Sequence, residues 1–223
     1  MCGRFAVTLP PEAMASLFGS DDRPNFAPNY NVAPTQKVPM IAIGKENKRR
    51  IIMARWGLLP NWQEKDPPTG PMFNARSETL ETKQYFKTAF AKRRCLIPAD
   101  GFYEWKREGT SRTPFFISRA DGAPLAFAGL WEMKKTATEG AEILISATII
   151  TTNSSPEFAN LHDRFPVILE KEDWALWLDS EAQTPRLKSL FHAPNNGIMR
   201  FHKVSDDVNK VANNNENLTK EIG

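Results

Sequence analysis

The sequence contains two cysteines among its 223 residues, Cys2 and Cys95, too few for a disulfide framework. No apolar run approaches the roughly 18 residues that a transmembrane helix needs, since the longest candidate, residues 143–150, is interrupted by Ser146 and Thr148. The N-terminus lacks a basic segment followed by an apolar one, so no signal peptide is expected. These absences argue against a disulfide-rich secreted domain or a membrane protein. They favour a cytoplasmic location, nucleoid-associated if the source is bacterial.

Sequence signatures of metal, nucleotide and hydrolase sites are also missing. The three histidines, His162, His192 and His202, are scattered, and no CxxC or HxxxH spacing offers a metal site. There is no GxxxxGKS/T phosphate loop, no GxGxxG fingerprint and no GxSxG nucleophile elbow. We therefore expect no metal and no cofactor.

The net charge of +3 is mild, but it is unevenly distributed. Residues 205–223 carry two lysines and four acids, a net −2, which leaves +5 on residues 1–204. Two short basic runs, residues 48–50 and 92–94, are either solvated faces or phosphate contacts. We predict one domain over residues 1–204 and an Asn-rich C-terminal tail over 205–223, within which residues 209–217 pass from ordered to frayed.

Seventeen prolines and frequent turn residues divide the chain into short segments, which is typical of a strand-rich domain. Residues 38–43 and 50–56 predict a hairpin, and further strands are predicted over 101–106, 114–118, 125–131 and 143–152. Short helices are predicted over 11–18, 84–93, 172–178 and 185–191. Strands with scattered helices, without βαβ alternation, indicate an α+β fold with a largely antiparallel core.

The most informative residue is Cys2. A small second residue allows removal of Met1, which would leave Cys2 with a free α-amine beside its thiol. Such an aminothiol captures an aldehyde as a Schiff base and then closes a five-membered thiazolidine ring, which an internal cysteine cannot do. The alternative is that a cysteine is merely tolerated at this position.

Schiff-base formation and ring closure need proton carriers, for which a carboxylic acid of raised pKa and a histidine are suited. Glu104 lies between aromatic residues in an apolar strand, where burial would raise its pKa. The alternative is an outward-facing glutamate on a half-exposed strand. His162 precedes Asp163 and Arg164 on a polar loop fixed by Pro166, a setting more typical of a functional histidine than an apolar face.

Two further segments offer binding residues. Asn74 can orient a carbonyl or hydroxyl, and Arg76 suits a phosphate; the alternative is a helix start capped by Asn74 or Ser77. Trp56 and Trp62 flank a loop where an exposed ring could stack on an unpaired base, although core packing is equally compatible with the pattern.

Taken together, these segments resemble the SRAP family of SOS-response-associated peptidases, or abasic-site processing proteins. The matching stretches follow the family's order over nearly the whole chain: MCGRF at 1–5, YNVAPT at 30–35, WGLLP at 56–60, NARSET at 74–79, RCLIPADGFYEW at 94–105, HDRFP at 162–166 and VSxxVN at 204–209.

The resemblance implies covalent capture of the open-chain sugar aldehyde of an abasic site, which shields the lesion during DNA repair and replication. Cys2 would supply the amine and the thiol, and Asn74 would orient the sugar. Glu104 would shuttle protons, and His162 would assist ring opening and reversal. The peptidase label would reflect autoproteolytic removal of Met1, beside a lyase-like chemistry at Cys2.

The implied partner is single-stranded DNA that contains an abasic site, bound by a monomer without any membrane contact. Arg4, Arg76 and Arg164 would hold phosphates, with Lys37 and Trp62 beside the DNA path. Replication-fork proteins are conceivable partners that the sequence does not identify. Two other hypotheses stay open: an N-terminal-nucleophile cysteine peptidase or amidohydrolase, and a non-covalent single-strand binding module.

Overall fold

The computed structural model describes residues 2–135 and 143–223; Met1, whose removal the sequence predicts, lies outside the described residues. The strands are β1 (Phe5–Val7), β2 (Asn29–Val32), β3 (Lys37–Ile43), β4 (Arg49–Trp56), β5 (Asn74–Arg76), β6 (Arg94–Ala99), β7 (Gly101–Glu108), β8 (Ser111–Arg119), β9 (Leu125–Lys135), β10 (Ile143–Asn153), β11 (Arg164–Pro166) and β12 (Met199–Lys203). The α-helices are α1 (Pro11–Phe18), α2 (Gln84–Lys92), α3 (Trp174–Leu178) and α4 (Thr184–Lys188).

The strands form two sheets. The first has five strands in the order β12-β8-β7-β1-β2. The second has seven, and five of them close into a barrel-like ring, because β10 pairs with both β4 and β9 at the two ends of the β4-β3-β6-β9 path. Closure of this kind satisfies the backbone groups that an open sheet edge would leave unpaired.

β10 is longer than the ring requires, and its second half carries two additional strands. On one edge β4 pairs with residues 146–147 and β5 continues along residues 149–151. On the other edge β9 pairs with residues 143–149 and β11 continues along residues 151–153. The short strands β5 and β11 therefore flank the same stretch of β10.

The predicted α+β class with a single domain agrees with this architecture, but the seven-stranded sheet is mixed. Nine strand pairings are antiparallel, whereas β10 runs parallel to both β4 and β5. The prediction of a largely antiparallel core holds for nine of the eleven pairings among the described strands. The two parallel pairings were not predicted, because they depend on contacts between segments distant in sequence.

The local predictions were closer. The β3–β4 hairpin has the predicted strands, joined by residues 44–48, and β7, β8, β9 and β10 cover the other predicted strands. α1 begins with Pro11 at its first position and ends at Gly19, whose φ of 67° is the left-handed conformation that favours glycine. The two later helices are shorter than predicted, at five residues each.

One large apolar cluster combines buried side chains from both sheets. Phe5 of β1 packs edge-on against Trp56 of β4 and Phe127 of β9, with ring centroids 4.9 and 6.0 Å apart. The side chains of Cys2, Phe5 and Phe102 are fully buried in this cluster. The N-terminal strand is thus fixed by core packing, which holds Cys2 in a defined place.

The C-terminal segment, residues 205–223, packs against the outer face of the five-stranded sheet. It forms two 3-10 turns, Asp206–Asn209 and Glu216–Thr219, and buries Val208 and Leu218 in a second, smaller apolar cluster with Tyr103. The expectation that residues 209–217 fray is wrong, because these flanking apolar side chains and several hydrogen bonds fix that stretch to the sheet. Among the described residues, no helix is both long and apolar enough to cross a membrane.

Candidate active site

Pairing between β1 and β7 places Cys2 and Glu104 in one region. Phe5 lies opposite Phe102, and the Arg4 carbonyl accepts a hydrogen bond from the Tyr103 N–H at 2.9 Å. The residues that precede Phe5 therefore run back along those that follow Phe102, which brings the N-terminus alongside Glu104.

Glu104 faces the interior. Along β7, Phe102 belongs to the large cluster, whereas Tyr103 and Trp105 contact the smaller one on the opposite face. Glu104 lies on the side of Phe102 and is 5% exposed, so the interpretation as an outward-facing residue is wrong. Burial raises the pKa of its carboxyl, and a hydrogen bond from the Trp105 backbone N–H opposes that shift.

Cys2 is fully buried, and its thiol is protonated at neutral pH. Burial raises the thiol pKa far above its usual value, and the negative charge of Glu104 raises it further. A backbone hydrogen bond from Arg4 acts in the opposite direction. The thiol and the carboxyl therefore share a site in which two simultaneous negative charges are unfavourable.

Asn74 connects the seven-stranded sheet to the N-terminal segment. It begins β5, opposite Ile149 of β10, and its side-chain Nδ2 donates a hydrogen bond to the backbone carbonyl of Cys2 at 2.8 Å. Its Oδ1 is buried and has no hydrogen-bond partner within the described ranges. This acceptor is suited to a hydroxyl or amine brought by a substrate.

His162 lies on the loop before β11 and is partly exposed. Its Nδ1 is 2.9 Å from the Arg164 backbone N–H and 2.7 Å from Oδ1 of Asp163. One tautomer cannot serve both contacts, since the first needs a lone pair and the second a proton. Because the Asp163 side chain is 84% exposed and its charge is screened by water, we assign Nδ1 as the acceptor of the amide. The neutral ring then carries its proton on Nε2.

The structure thus brings together the four residues predicted to carry chemistry: Cys2, Asn74, Glu104 and His162. A carboxyl of raised pKa next to a buried thiol can take that proton and return it elsewhere, and a neutral imidazole can donate from Nε2. The arrangement suits reactions in which protons move between a nucleophile and a departing oxygen.

Arg164, predicted to hold a phosphate, is 8% exposed and already bound to the protein. It forms two hydrogen bonds with the Glu78 carboxylate, of 2.6 and 2.9 Å, and further bonds with Asn153 Oδ1 and the Thr151 carbonyl. This pair joins the segment after β5 to β11 across the end of β10. It therefore holds in place the two strands that flank the site.

The other predicted phosphate ligands differ in accessibility. Arg4 donates to Asn31 Oδ1 at 2.7 Å and to the Val208 carbonyl at 2.8 Å. Arg76 ends β5, two residues beyond Asn74, and is exposed. Among the predicted arginines, Arg76 is the one whose side chain is exposed, and it lies on the same short strand as Asn74.

Lys37 and Trp62 lie on other elements. Lys37 is exposed at the start of β3, and Trp62 is 50% exposed on the loop after β4, where its ring packs edge-on against Tyr85 at 5.0 Å. Trp56, by contrast, is fully buried in the core. The structure thus separates the two tryptophans that the sequence pattern could not distinguish.

The two basic runs are used largely in structural contacts. Arg50 pairs with Asp22, Arg93 pairs with Glu132, and Arg94 donates to backbone carbonyls that include that of Trp177. These contacts account for most of the basic side chains in the two runs, so no phosphate ligand is needed to explain them.

Several contacts escaped sequence reasoning. Glu78 as the partner of Arg164, Asn31 as an acceptor for Arg4, and Asn209 as an acceptor for Trp105 were not predicted. All of them lie within the segments that suggested the family resemblance, which is the one signal that could have drawn attention to them.

Comparison with known proteins agrees with that resemblance. The family model for SOS response associated peptidase (SRAP) matches residues 1–211. The abasic site processing protein YoaM of Bacillus subtilis is 36% identical over 223 residues, covering 98% of this chain and 97% of its own length. The abasic site processing protein HMCES of Xenopus tropicalis is 31% identical, covering 96% of this chain and 76% of its own length.

Crystal structures of bacterial proteins share the fold. A Bacteroides thetaiotaomicron protein superposes with a TM-score of 0.88 at 22% identity, covering 99% of this chain and 100% of that one. A Bordetella bronchiseptica protein superposes with a TM-score of 0.77 at 27% identity, covering 92% of this chain and 100% of that one.

Proposed function

The chain belongs to the SOS response associated peptidase (SRAP) family, and on that premise we propose that it traps abasic sites in single-stranded DNA as a thiazolidine crosslink on Cys2. The relatives named above are abasic site processing proteins. The observation that carries the proposal is the placement of Cys2, buried against Asn74 with its thiol facing the Glu104 charge.

The first step is hydrolysis of the bond between Met1 and Cys2, which consumes one water and frees the α-amine. The amine lone pair then attacks C1′ of the open-chain sugar aldehyde and forms a carbinolamine. Glu104, whose carboxyl pKa is raised by burial, donates its proton to the departing hydroxyl. Water leaves, and a protonated imine joins Cys2 to the DNA, with Glu104 left as the carboxylate.

Ring closure follows on the same residue. The Cys2 thiol gives its proton to the Glu104 carboxylate as the sulfur attacks the carbon of the protonated imine. The nitrogen becomes the neutral ring N–H, and Glu104 recovers the proton that it gave to the departing hydroxyl. A C–S bond forms, and the overall reaction turns one aldehyde and one aminothiol into a thiazolidine and one water. Because burial disfavours a free thiolate, this proton transfer must accompany the attack.

Asn74 and His162 act on the sugar. The unpartnered Oδ1 of Asn74 accepts a hydrogen bond from a sugar hydroxyl, while its Nδ2 keeps Cys2 in place. His162 donates from Nε2 to the ring oxygen and so assists opening of the closed sugar. It also assists reversal of the crosslink.

The DNA strand is held by phosphate and base contacts. Arg76 is the exposed cation beside Asn74, and Lys37 and Trp62 offer a further cation and a stacking surface. Arg4 and Arg164 would contact phosphates while keeping their protein partners. Because cation–phosphate contacts release counterions, non-covalent binding should weaken as salt rises, whereas the crosslink, once formed, should not.

The test uses the processed protein, with Met1 loss verified by intact mass, and a single-stranded oligonucleotide that contains one abasic site. We expect a shifted band on a denaturing gel that is absent with intact DNA, with Cys2→Ala and with chain that retains Met1. Cys95→Ala is the matched control, since it removes the other buried thiol and should crosslink normally.

Cys2→Ser separates the chemistry of the amine from that of the thiol. It keeps the α-amine, so it should give a product that requires borohydride trapping to survive denaturation. A Cys2→Ser product as stable as the wild-type product would contradict the thiazolidine. Peptide turnover without crosslinking would favour the hydrolase, and a complex that disappears on denaturation would favour a simple binding module.

A further inference from the structure

The C-terminal segment contacts the two residues that flank the chemistry. Its Val208 carbonyl accepts a hydrogen bond from the Arg4 guanidinium at 2.8 Å. Asn209 Oδ1 accepts one from the indole N–H of Trp105, also at 2.8 Å. Arg4 follows Cys2 by two positions, and Trp105 is adjacent to Glu104.

These two side chains also contact each other. The Arg4 guanidinium lies over the Trp105 ring, 5.9 Å from its centroid. The 3-10 turn Asp206–Asn209 thus accepts hydrogen bonds from both side chains. At the start of this turn, the Ser205 hydroxyl accepts a hydrogen bond from the Asp207 N–H.

The turn is itself firmly attached to the sheet. Val208 is fully buried beside Tyr103, and the Asn31 side-chain amide donates to the carbonyls of Val208, Lys210 and Asn213. Asn31 is 1% exposed and belongs to β2, which pairs with β1. The segment is therefore a rigid support for the N-terminal strand.

We propose that Asn209 is a positioning residue for the crosslinking reaction, acting through its hydrogen bond to Trp105 to fix the strand that presents Glu104 to Cys2. The proposal rests on the proposed function, since it concerns the rate of the same reaction. A physical route exists, because the Trp105 backbone N–H hydrogen-bonds the Glu104 carboxyl and the Arg4 backbone does the same for the Cys2 thiol.

The experiment is a double-mutant cycle on the processed full chain, with Asn209→Ala, Trp105→Phe and the combination. Asn196→Ala, an exposed asparagine before β12, is the control. The rate constant for crosslinking is measured at saturating abasic-site DNA. The DNA concentration at half saturation and the active fraction of protein are determined separately. We expect Asn209→Ala to lower the rate constant about fivefold, the magnitude of one lost hydrogen bond.

Coupling decides between positioning and general destabilisation. If both residues act through their shared hydrogen bond, the double variant should be no slower than the slower single variant. Multiplied effects, a rate constant equal to that of Asn196→Ala, or a lower active fraction at an unchanged rate constant would each overturn the proposal.

A readout independent of activity keeps the inference separate from the proposed function. Carbon-13 NMR of the Glu104 carboxyl, assigned with Glu104→Gln, should show a higher titration midpoint in Asn209→Ala, because a displaced Trp105 N–H stabilises the carboxylate less. The Cys2 thiol and His162 face the same carboxyl and are unchanged in the variant, as is the α-amine that processing would leave on Cys2. If the wild type forms no crosslink, the proposed function fails, but the titration midpoint of Glu104 still tests the positioning role of Asn209. A midpoint that is unchanged in Asn209→Ala overturns that role.

Discussion

The side-chain amide of Asn74 donates a hydrogen bond to the backbone carbonyl of Cys2 at 2.8 Å. This contact joins β5 of the seven-stranded sheet to the N-terminal segment of the five-stranded sheet. It is a direct contact between the proposed nucleophile and the residue proposed to orient the sugar.

Asn74→Ala should slow crosslinking about tenfold, since it removes both the bond to Cys2 and the acceptor for the sugar. Asn74→Asp keeps an acceptor but places a carboxylate against the Cys2 carbonyl, so it should be slow as well. Single-turnover gels measure both, with exposed Asn195→Ala as the control. A normal rate in Asn74→Asp would show that the donor to Cys2 is dispensable.

Glu104→Gln should lower the crosslinking rate about 100-fold, as expected for loss of a general acid–base group. Glu108→Gln, at the exposed end of the same strand, should react normally. Equal rates for the two variants would remove Glu104 from the mechanism.

The same substitution should change the pH dependence of stability. Burial raises the folded-state pKa of Glu104, so the native state binds the proton more tightly than the unfolded state. Stability is then lost as pH rises from the usual glutamate value of 4.5 through the raised value. Thermal unfolding should show Glu104→Gln gaining stability relative to wild type over that window; a constant difference would contradict the assigned shift.

The Glu78–Arg164 pair predicts the opposite pH dependence. Its hydrogen bonds from Arg164 lower the pKa of the Glu78 carboxyl, so the stabilisation is present above pH 4.5 and disappears as pH falls below it. Glu78→Gln should cost about 1 kcal/mol at pH 7. Denaturant unfolding at several pH values measures this. Glu81→Gln, which breaks a more exposed pair with Lys188, should cost less, and equal costs would argue against a special role for Arg164.

Gly129→Ala should destabilise the barrel by about 1–3 kcal/mol, because an added methyl group overpacks the core. Its Cβ would lie 2.9 Å from Cys95 Sγ and 3.1 Å from both Ile97 Cδ1 and the Thr148 carbonyl. Cys95→Ala removes the closest of these atoms, so the double variant should recover part of the loss. An additive cost in denaturant unfolding would show that the sulfur is not the obstacle.

Much of the local structure could be predicted from the sequence. Alternating polarity identified the strand that carries Glu104, and Pro11 marked the start of α1, because these features depend on neighbours a few positions away. The parallel pairings of β10 could not be predicted in this way, since they join segments whose proximity depends on how the whole chain closes.

The same distinction between local and long-range features applies to the candidate site. The sequence by itself determined that a cysteine stands second in the chain and that its companion motifs are those of the SRAP family, because motifs and their order are properties of the chain. It could not determine that Glu104 points inward or that Arg164 is bound to Glu78. Nor could it show that the C-terminal segment supports Arg4 and Trp105. Those facts depend on burial and on partners far along the chain, and only the tertiary structure fixes both.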